Sequence, residues 1–361
     1  MLKIKFHKAF NGDCILLTLV PLVGEEKRIL IDGGISSTYK SGKKGKDKPE
    51  DGALKILTEQ LRDEGKVIDL LILTHVDDDH IAGILKWFES DSKAYELIKE
   101  VWFNSGALIA EYFNTVENPD LDPEFKFPNS ATDTSILQGI RFGKYIDEKG
   151  IWKKEVLIQG KDKIWNNAEF KFLSPNENKM ERLLKEWKKE DPALDTSLKI
   201  EDYKVSIENL ISGDTFEEDE AFPNGSSIAF IFTYENHNYL FLGDSHPSVI
   251  VEGLSNRGFS KKNPLESEMV KLSHHGSKGN TNIELLEMID SSLYIVSTNG
   301  RSHLHPHKQL LARLINCKQG CTIYFNYKER MDKIFLPEDF DYLPFTTSDT
   351  PDEFILDYAK G

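Results

Sequence analysis

Short apolar runs set apart by polar punctuation give this chain its rhythm. Residues 4–6, 15–19 and 28–31 are apolar stretches of strand length, divided by the Gly, Asn and Asp residues at which chains turn. A fourth run, Leu70-Leu71-Ile72-Leu73, is apolar at every position, as a strand buried on both faces reads. Leu54, Leu57 and Leu61 recur at helical spacing before it, and Ile81, Ile84, Leu85 and Phe88 after it, so a helix is predicted on either side. From about 104 to 200 this regularity fades into a stretch rich in Asn, Asp, Pro and Lys. Helices are predicted there near 135–145 and 180–189, and the stretch reads as insertions on a scaffold. From 201 the strand-rich theme returns. Residues 228–232 and 238–242 predict a hairpin with Glu235-Asn236 near its turn. Residues 269–272 and 293–296 predict further strands, each ahead of a polar cluster, and Leu310, Leu311 and Leu314 mark a late helix. The acidic, proline-containing tail at 337–361 is expected to wrap the surface. No repeat of solenoid period is present. Two β-rich halves, about 1–175 and 201–336, predict one α/β domain over 1–361, layered helix, sheet, sheet, helix.

Composition narrows this picture. The chain has 361 residues, 39% of them hydrophobic, which is ample for a large core. No stretch approaches the length that spans a bilayer, and Met1-Leu2-Lys3-Ile4-Lys5-Phe6 reads as a strand rather than a targeting peptide. The three cysteines are an odd number, which argues against a disulfide framework and for a cytoplasmic location. Cys317 and Cys321 lack the companions a zinc site needs. A net charge of -15 argues against a dedicated duplex-DNA binder. It leaves room for a nucleic-acid substrate met by a local basic loop, and Lys40, Lys43, Lys44, Lys46 and Lys48 supply one candidate.

The chemistry gathers at strand ends. His75-Val76-Asp77-Asp78-Asp79-His80 follows the run 70–73 directly. Carboxylates and imidazoles at the end of a core strand are costly to hold together unless a cation neutralises them. Nitrogen and oxygen donors together point to zinc, with manganese or iron as competitors. Helix capping would explain the aspartates but not the flanking histidines. The run Phe241-Leu242-Gly243-Asp244-Ser245 ends a strand on a carboxylate that can bridge two cations. Asp214 in Ile211-Ser212-Gly213-Asp214 is the competing candidate, set aside because it opens the acidic loop from Glu217 to Glu220. In Lys271-Leu272-Ser273-His274-His275-Gly276-Ser277-Lys278, the two histidines read as ligands, while Ser277 and Lys278 suit a phosphate. His303-Leu304-His305-Pro306-His307 precedes the late helix, and His305 is the choice there for a substrate contact or proton donor. His7, His237 and His246 show no partner pattern and read as structural.

Taken in order, Asp32-Gly33-Gly34, His75-x-Asp77-x-Asp79-His80, Gly243-Asp244, His274-His275-Gly276-Ser277 and His305-Pro306 resemble the metallo-β-lactamase fold superfamily. More narrowly they resemble the hydrolase domain of the ComEC-like DNA-uptake competence proteins, to which Gly12-Asp13-Cys14-Ile15-Leu16-Leu17 is also similar. The resemblance runs from the first strand to about Leu314, with the middle stretch unmatched. It implies a four-layer αββα sandwich and two divalent ions, zinc or alternatively manganese. It implies that His75 and Asp77 hold one ion, that Asp79, His80 and His274 hold the other, and that Asp244 bridges them beside a hydroxide. Asp32, Asn224, His275, Ser277 and Lys278 would act behind the ligands or on the substrate. Asp79, Asp244 and His305 would be catalytic. One departure stands out: where the wider superfamily has a further histidine ligand, this chain has Asn224-Gly225-Ser226-Ser227.

Two ions lower the pKa of a bridging water and clamp phosphoryl oxygens, so a phosphodiesterase or nuclease is expected, working by in-line attack. The alternatives are a small-molecule esterase of phosphocholine or lactone type, and a defence or signalling module that works with a partner protein docked through the central insertion. No membrane association is expected.

Overall fold

The alternation Leu2-Lys3-Ile4-Lys5-Phe6 folds as β1 (Leu2–Phe6), with Leu2, Ile4 and Phe6 buried and the two lysines half-exposed. That is the period-two pattern of a strand with one face in a core. In the computed structural model, which describes residues 1–42, 50–115, 135–187 and 201–357, the chain forms two units. The first takes its described residues from Met1–Leu157, Glu177–Asp195 and Glu353–Gly361; the second takes them from Ile158–Asn176 and Thr196–Asp352.

In the first unit, β2 (Ile15–Leu19) and β3 (Lys27–Ile31) follow β1 antiparallel. β4 (Leu70–Ile72) and β5 (Val101–Trp102) then run parallel to β3, and Phe354–Leu356 closes the far edge against β1. Parallel neighbours need crossover connections, and helices α1 (Ala53–Asp63) and α2 (Asp78–Ser90) supply them. α1 buries Leu54, Leu57 and Leu61, and α2 buries Ile81, Ile84, Trp87 and Phe88. The mid-chain helix predicted near 135–145 is α3 (Ser135–Glu148). It is no peripheral insertion: the Phe88 ring of α2 stacks on Tyr145 at 4.1 Å, and Phe142 is fully buried. The helix predicted near 180–189 is α4 (Glu177–Trp187). Lys40 is half-buried and forms a β-bridge with Asp51; Lys43, Lys44, Lys46 and Lys48 lie outside the described residues.

The second unit is an eight-stranded sheet. β6 (Asp162–Trp165), β7 (Ala168–Ser174), β8 (Ala229–Tyr234) and β9 (His237–Phe241) form an antiparallel meander. β10 (Met269–Lys271), β11 (Leu293–Val296), β12 (Thr322–Phe325) and β13 (Thr346–Asp349) continue it in parallel. The predicted hairpin at 228–242 is present, and Glu235 and Asn236 both take the positive φ that a tight turn requires. The same device joins β6 to β7: Asn166 and Asn167 have φ of 47° and 65°. Residues 158–176 therefore belong to the second sheet, so the boundary near 175 and the insertion reading both give way there. The alternation of Ala168-Glu169-Phe170-Lys171-Phe172 was masked by its polar neighbours. One sheet face packs Ile231, Leu240, Val270 and Ile323 on α5 (Pro247–Asn256) and α6 (Lys308–Cys317). Its other face is aromatic, with Phe170, Phe230, Phe232 and Phe241 in ring contacts of 5.1–5.6 Å.

The tail does more than wrap the surface. It supplies β13 to one sheet and Phe354–Leu356 to the other. Asp339 is buried and paired with buried Lys308 at 2.5 Å. All three cysteines are free thiols. Among the described residues no helix is long and apolar enough to cross a membrane.

Candidate metal centre

In the first unit the donors lie at the carboxyl ends of parallel strands, where loops converge. Asp32 follows β3, with its backbone in the left-handed region at φ 58°. Its fully buried carboxylate accepts Thr74 N–H and Thr74 Oγ1–H, both at 2.8 Å, and meets His80 Nδ1 at 2.7 Å. Burial pushes the Asp32 carboxyl up from its ordinary value, opposed by His80 and by its hydrogen bonds. With Nδ1 so engaged, His80 turns Nε2 towards Asp79 Oδ1, 3.8 Å away. His75 repeats the arrangement: Nδ1 is 3.0 Å from Thr74 Oγ1 and Nε2 is 3.7 Å from Asp77 Oδ2. The capping explanation of the aspartates fails at Asp77. It stands at the N-cap of α2, yet its side chain makes no cap bond. Asp78 is occupied otherwise, accepting Gln138 Nε2 from α3 at 3.0 Å.

Sequence reasoning missed Asp13 as a site residue. It is 1% exposed, and a carboxylate oxygen lies within 4.8 Å of a His80 ring nitrogen. Asp13 N–H donates to Asp79 O at 3.2 Å, and Asn11 Nδ2 donates to Asp79 Oδ2 at 3.3 Å. The signal was Gly12, because a Cβ there would fall 1.8 Å from Asp79 O. Only glycine lets the two loops meet.

In the second unit the donors sit at the ends of β9 and β10. Asp244 is buried after Gly243 (φ 51°), and its N–H donates to Ser227 Oγ at 3.0 Å. His274 and His275 follow β10 with φ of 45° and 53°. Left-handed backbone at non-glycine residues costs about 1–3 kcal/mol each and persists where the surroundings over-determine it. The strain turns both imidazoles the same way. His275 Nδ1 donates to Ser297 O at 2.9 Å, leaving Nε2 3.6 Å from Asp244 Oδ2. His274 Nδ1 is 3.0 Å from Asn280 Oδ1 and 3.3 Å from Asp219 Oδ2, while Nε2 is 3.8 Å from Asp244 Oδ2. Burial pulls the His274 pKa down, but Asp244 and Asp219 outweigh it and raise it to about 8. Both histidines thus turn Nε2 towards Asp244, including His275, which sequence reasoning placed behind His274.

Asp219 was also missed, inside the loop set aside as merely acidic. Its carboxylate accepts Asn224 Nδ2 at 2.6 Å and Asn280 Nδ2 at 3.0 Å. Burial would raise its pKa, but His274, Ala221 N–H and Asn224 drive it down. The competing Asp214 is a structural ion, taken by Arg313 at 2.7 and 2.8 Å. His305 is buried, its ring 4.9 Å from His274 and 4.8 Å from His307. Burial first, and then the neighbouring imidazoles, hold its pKa well below the ordinary value. Ser277 is buried within its own loop, and Lys278 is exposed with its N–H on His307 Nδ1 at 3.1 Å. Of the three histidines read as structural, His7 is buried and lowered to about 4, His237 pairs with Glu268 at 2.8 Å, and His246 is buried 3.9 Å from Asp219.

The donor chemistry fits divalent metal. Four buried or largely buried imidazoles each have Nδ1 held by a protein group and Nε2 beside a carboxylate, the arrangement by which proteins orient metal-binding histidines.

A family model described as Metallo-beta-lactamase superfamily matches residues 8–144. The chain is 25% identical to ComE operon protein 3 of Bacillus subtilis (strain 168) over 340 residues, which are 89% of this chain and 32% of that protein. It thus spans about a third of the length of that curated relative. Among solved structures it is similar to the metallo-beta-lactamase fold protein YhfI from Bacillus subtilis, at 9% identity and a TM-score of 0.40, covering 99% of this chain and 100% of that one. A mutant of CmlA beta-hydroxylase is 12% identical, with a TM-score of 0.38, covering 98% of this chain and 52% of that one.

Proposed function

We propose that the chain is a member of the metallo-β-lactamase superfamily, whose family model matches residues 8–144, and that it is a metal-dependent phosphodiesterase or nuclease. The observation that carries this reading is the shared pose of the four imidazoles, Nδ1 engaged and Nε2 beside a carboxylate, in both donor sets. In this reading His75, Asp77, Asp79 and His80 form one donor set, Asp244, His274 and His275 form another, and the chain holds two divalent ions, zinc or manganese. Asp13 joins the first set through its place beside His80. Bound ions would supply Lewis-acid polarisation of a phosphoryl centre and a water of lowered pKa.

The chain's own residues do the rest. Asp32 and Thr74 hold the first pair of imidazoles by Nδ1, and Asp219, Asn280 and Ser297 O hold the second pair. His305, kept neutral by burial and by its imidazole neighbours, offers a ring N–H to a phosphoryl oxygen. Lys278, exposed in the loop after β10, adds a cationic donor. A phosphodiester suits this set because its negative charge and its leaving oxygen both need neutralising.

The experiment is hydrolysis of bis-p-nitrophenyl phosphate, single- and double-stranded DNA, and RNA by the manganese- or zinc-loaded chain, beside Asp244→Ala. Turnover of a nucleic acid that the variant loses supports a nuclease. Turnover of the small diester alone points to a small-molecule phosphodiesterase. No turnover of any phosphodiester by the fully loaded chain sinks the proposal. Residues 116–134 and 188–200 of the central stretch, where a partner protein was expected to dock, lie outside the described residues.

A further inference from the structure

We propose that Asn224 is a metal ligand through its side-chain carbonyl oxygen, and that Asp219 is the positioning residue that orients it. The proposal rests on the metal-hydrolase reading above and adds a ligand to it. Asn224 sits in the short turn Phe222–Gly225 and is 4% exposed. Its Nδ2 donates to Asp219 Oδ2 at 2.6 Å and lies 3.3 Å from His274 Nδ1. An ionised carboxylate only accepts, so this bond fixes which end of the amide is nitrogen. Oδ1 is left facing away from Asp219, buried, with no hydrogen-bond partner among the described residues. Buried acceptors are rarely left so.

The same Asp219 oxygen takes Asn280 Nδ2 at 3.0 Å, which turns Asn280 Oδ1 to His274 Nδ1 at 3.0 Å. His274 Nδ1 must then donate, and its lone pair lies on Nε2, 3.8 Å from Asp244 Oδ2. One carboxylate thus sets the polarity of two amides and an imidazole. The backbone ties the turn to the bridging candidate: Ser227 N–H donates to Asn224 O at 3.0 Å, and Ser227 Oγ accepts Asp244 N–H at 3.0 Å. Asn224 also opens the segment in which the family resemblance leads one to look for a further histidine. A carbonyl oxygen is a harder donor than an imidazole nitrogen, so the exchange favours manganese relative to zinc.

The test uses the full chain, stripped with chelator and titrated with Mn2+ and with Zn2+ by calorimetry, and pulsed EPR of the Mn2+-loaded protein. Asn224→Ala is expected to weaken one ion about 10-fold or more while the other is kept, and Asp219→Asn to cost about 10–100-fold. Asn224→His, which serves even if the alanine variant fails to fold, is expected to shift the zinc-to-manganese preference about 10-fold towards zinc. It should also add one histidine nitrogen coupling to the manganese spectrum. Unchanged affinities in Asn224→Ala, or no added coupling in a folded Asn224→His, overturn the proposal. A wild-type chain that binds no ion overturns the hydrolase reading instead.

Discussion

In the first unit all the donors but Asp13 fall within six consecutive residues, His75 to His80, and the groups that orient them are a strand-end aspartate and a threonine at 32 and 74. In the second unit the donors come from two strand ends, Asp244 after β9 and His274-His275 after β10, and the orienting groups, Asp219, Asn280 and Ser297, are scattered along the chain around them. The first set relies on a loop whose geometry is local. The second relies on strained backbone at His274 and His275 and on a polar network that no short motif announces. Equivalent chemistry is reached by compact coding on one side and by long-range support on the other, so the two sides should fail differently when disturbed.

The largest effect is expected at Asp244. Asp244→Ala should lower phosphodiester turnover by about 1,000-fold or more, on the scale of removing one electrostatic stabiliser of a transition state, with the thermal midpoint little changed. Turnover within about threefold of wild type would remove Asp244 from the chemistry. Next comes Asp339→Ala, which leaves Lys308 buried without its carboxylate. A broken buried pair costs about 3–5 kcal/mol, so denaturant melts should show a large loss. Lys308 opens the helix that follows His305, so a variant of full stability would show that the second side does not need this support.

Gly12→Ala probes the compact side. Its Cβ would stand 1.8 Å from Asp79 O, and relieving such a clash costs about 1–3 kcal/mol. Metal binding by His75–His80 should suffer along with stability, because Asp79 has to move. Asp32→Asn keeps the shape and removes the charge behind His80, and should cost about 10–100-fold in affinity for one ion, read by calorimetry.

The smallest effect is a pH dependence confined to the second side. Folding raises the His274 pKa from 6.5 to about 8. The protonated ring therefore adds stability that is fully present below 6.5 and is lost as pH rises through about 8. Melts of the chelated protein should show stability falling across that window, while metal affinity rises over it as the proton leaves. A chelated protein that grows more stable over the same window would contradict the assignment of Asp244 and Asp219 as the groups that hold this charge.

The same contrast explains what could be read from the chain. The strands at 4–6, 15–19, 28–31 and 70–73 stand out because their apolar runs are bounded by turn residues. His75–His80 stands out because imidazoles flank carboxylates at a strand end. β6 and β7 were obscured: Lys163, Glu169 and Lys171 dilute their apolar pattern, and the Asn166-Asn167 turn was lost among other asparagines. The tail was misjudged on composition, although Thr346–Asp349 needs only backbone pairing to extend a sheet. Asp219 was hidden by its neighbours Glu217, Glu218 and Glu220, since nothing in an acidic run says which carboxylate is buried. Asp13 was noticed in a motif, but its nearness to His80 depends on a loop contact that only Gly12 hinted at.

Activity titrated against bound metal tests the metal-hydrolase reading most directly. Chelated protein should be inactive on bis-p-nitrophenyl phosphate, and turnover should rise with added Mn2+ or Zn2+ until about two ions are held per chain. A fully loaded chain that turns over no phosphodiester, or a chelated chain as active as the loaded one, would contradict it.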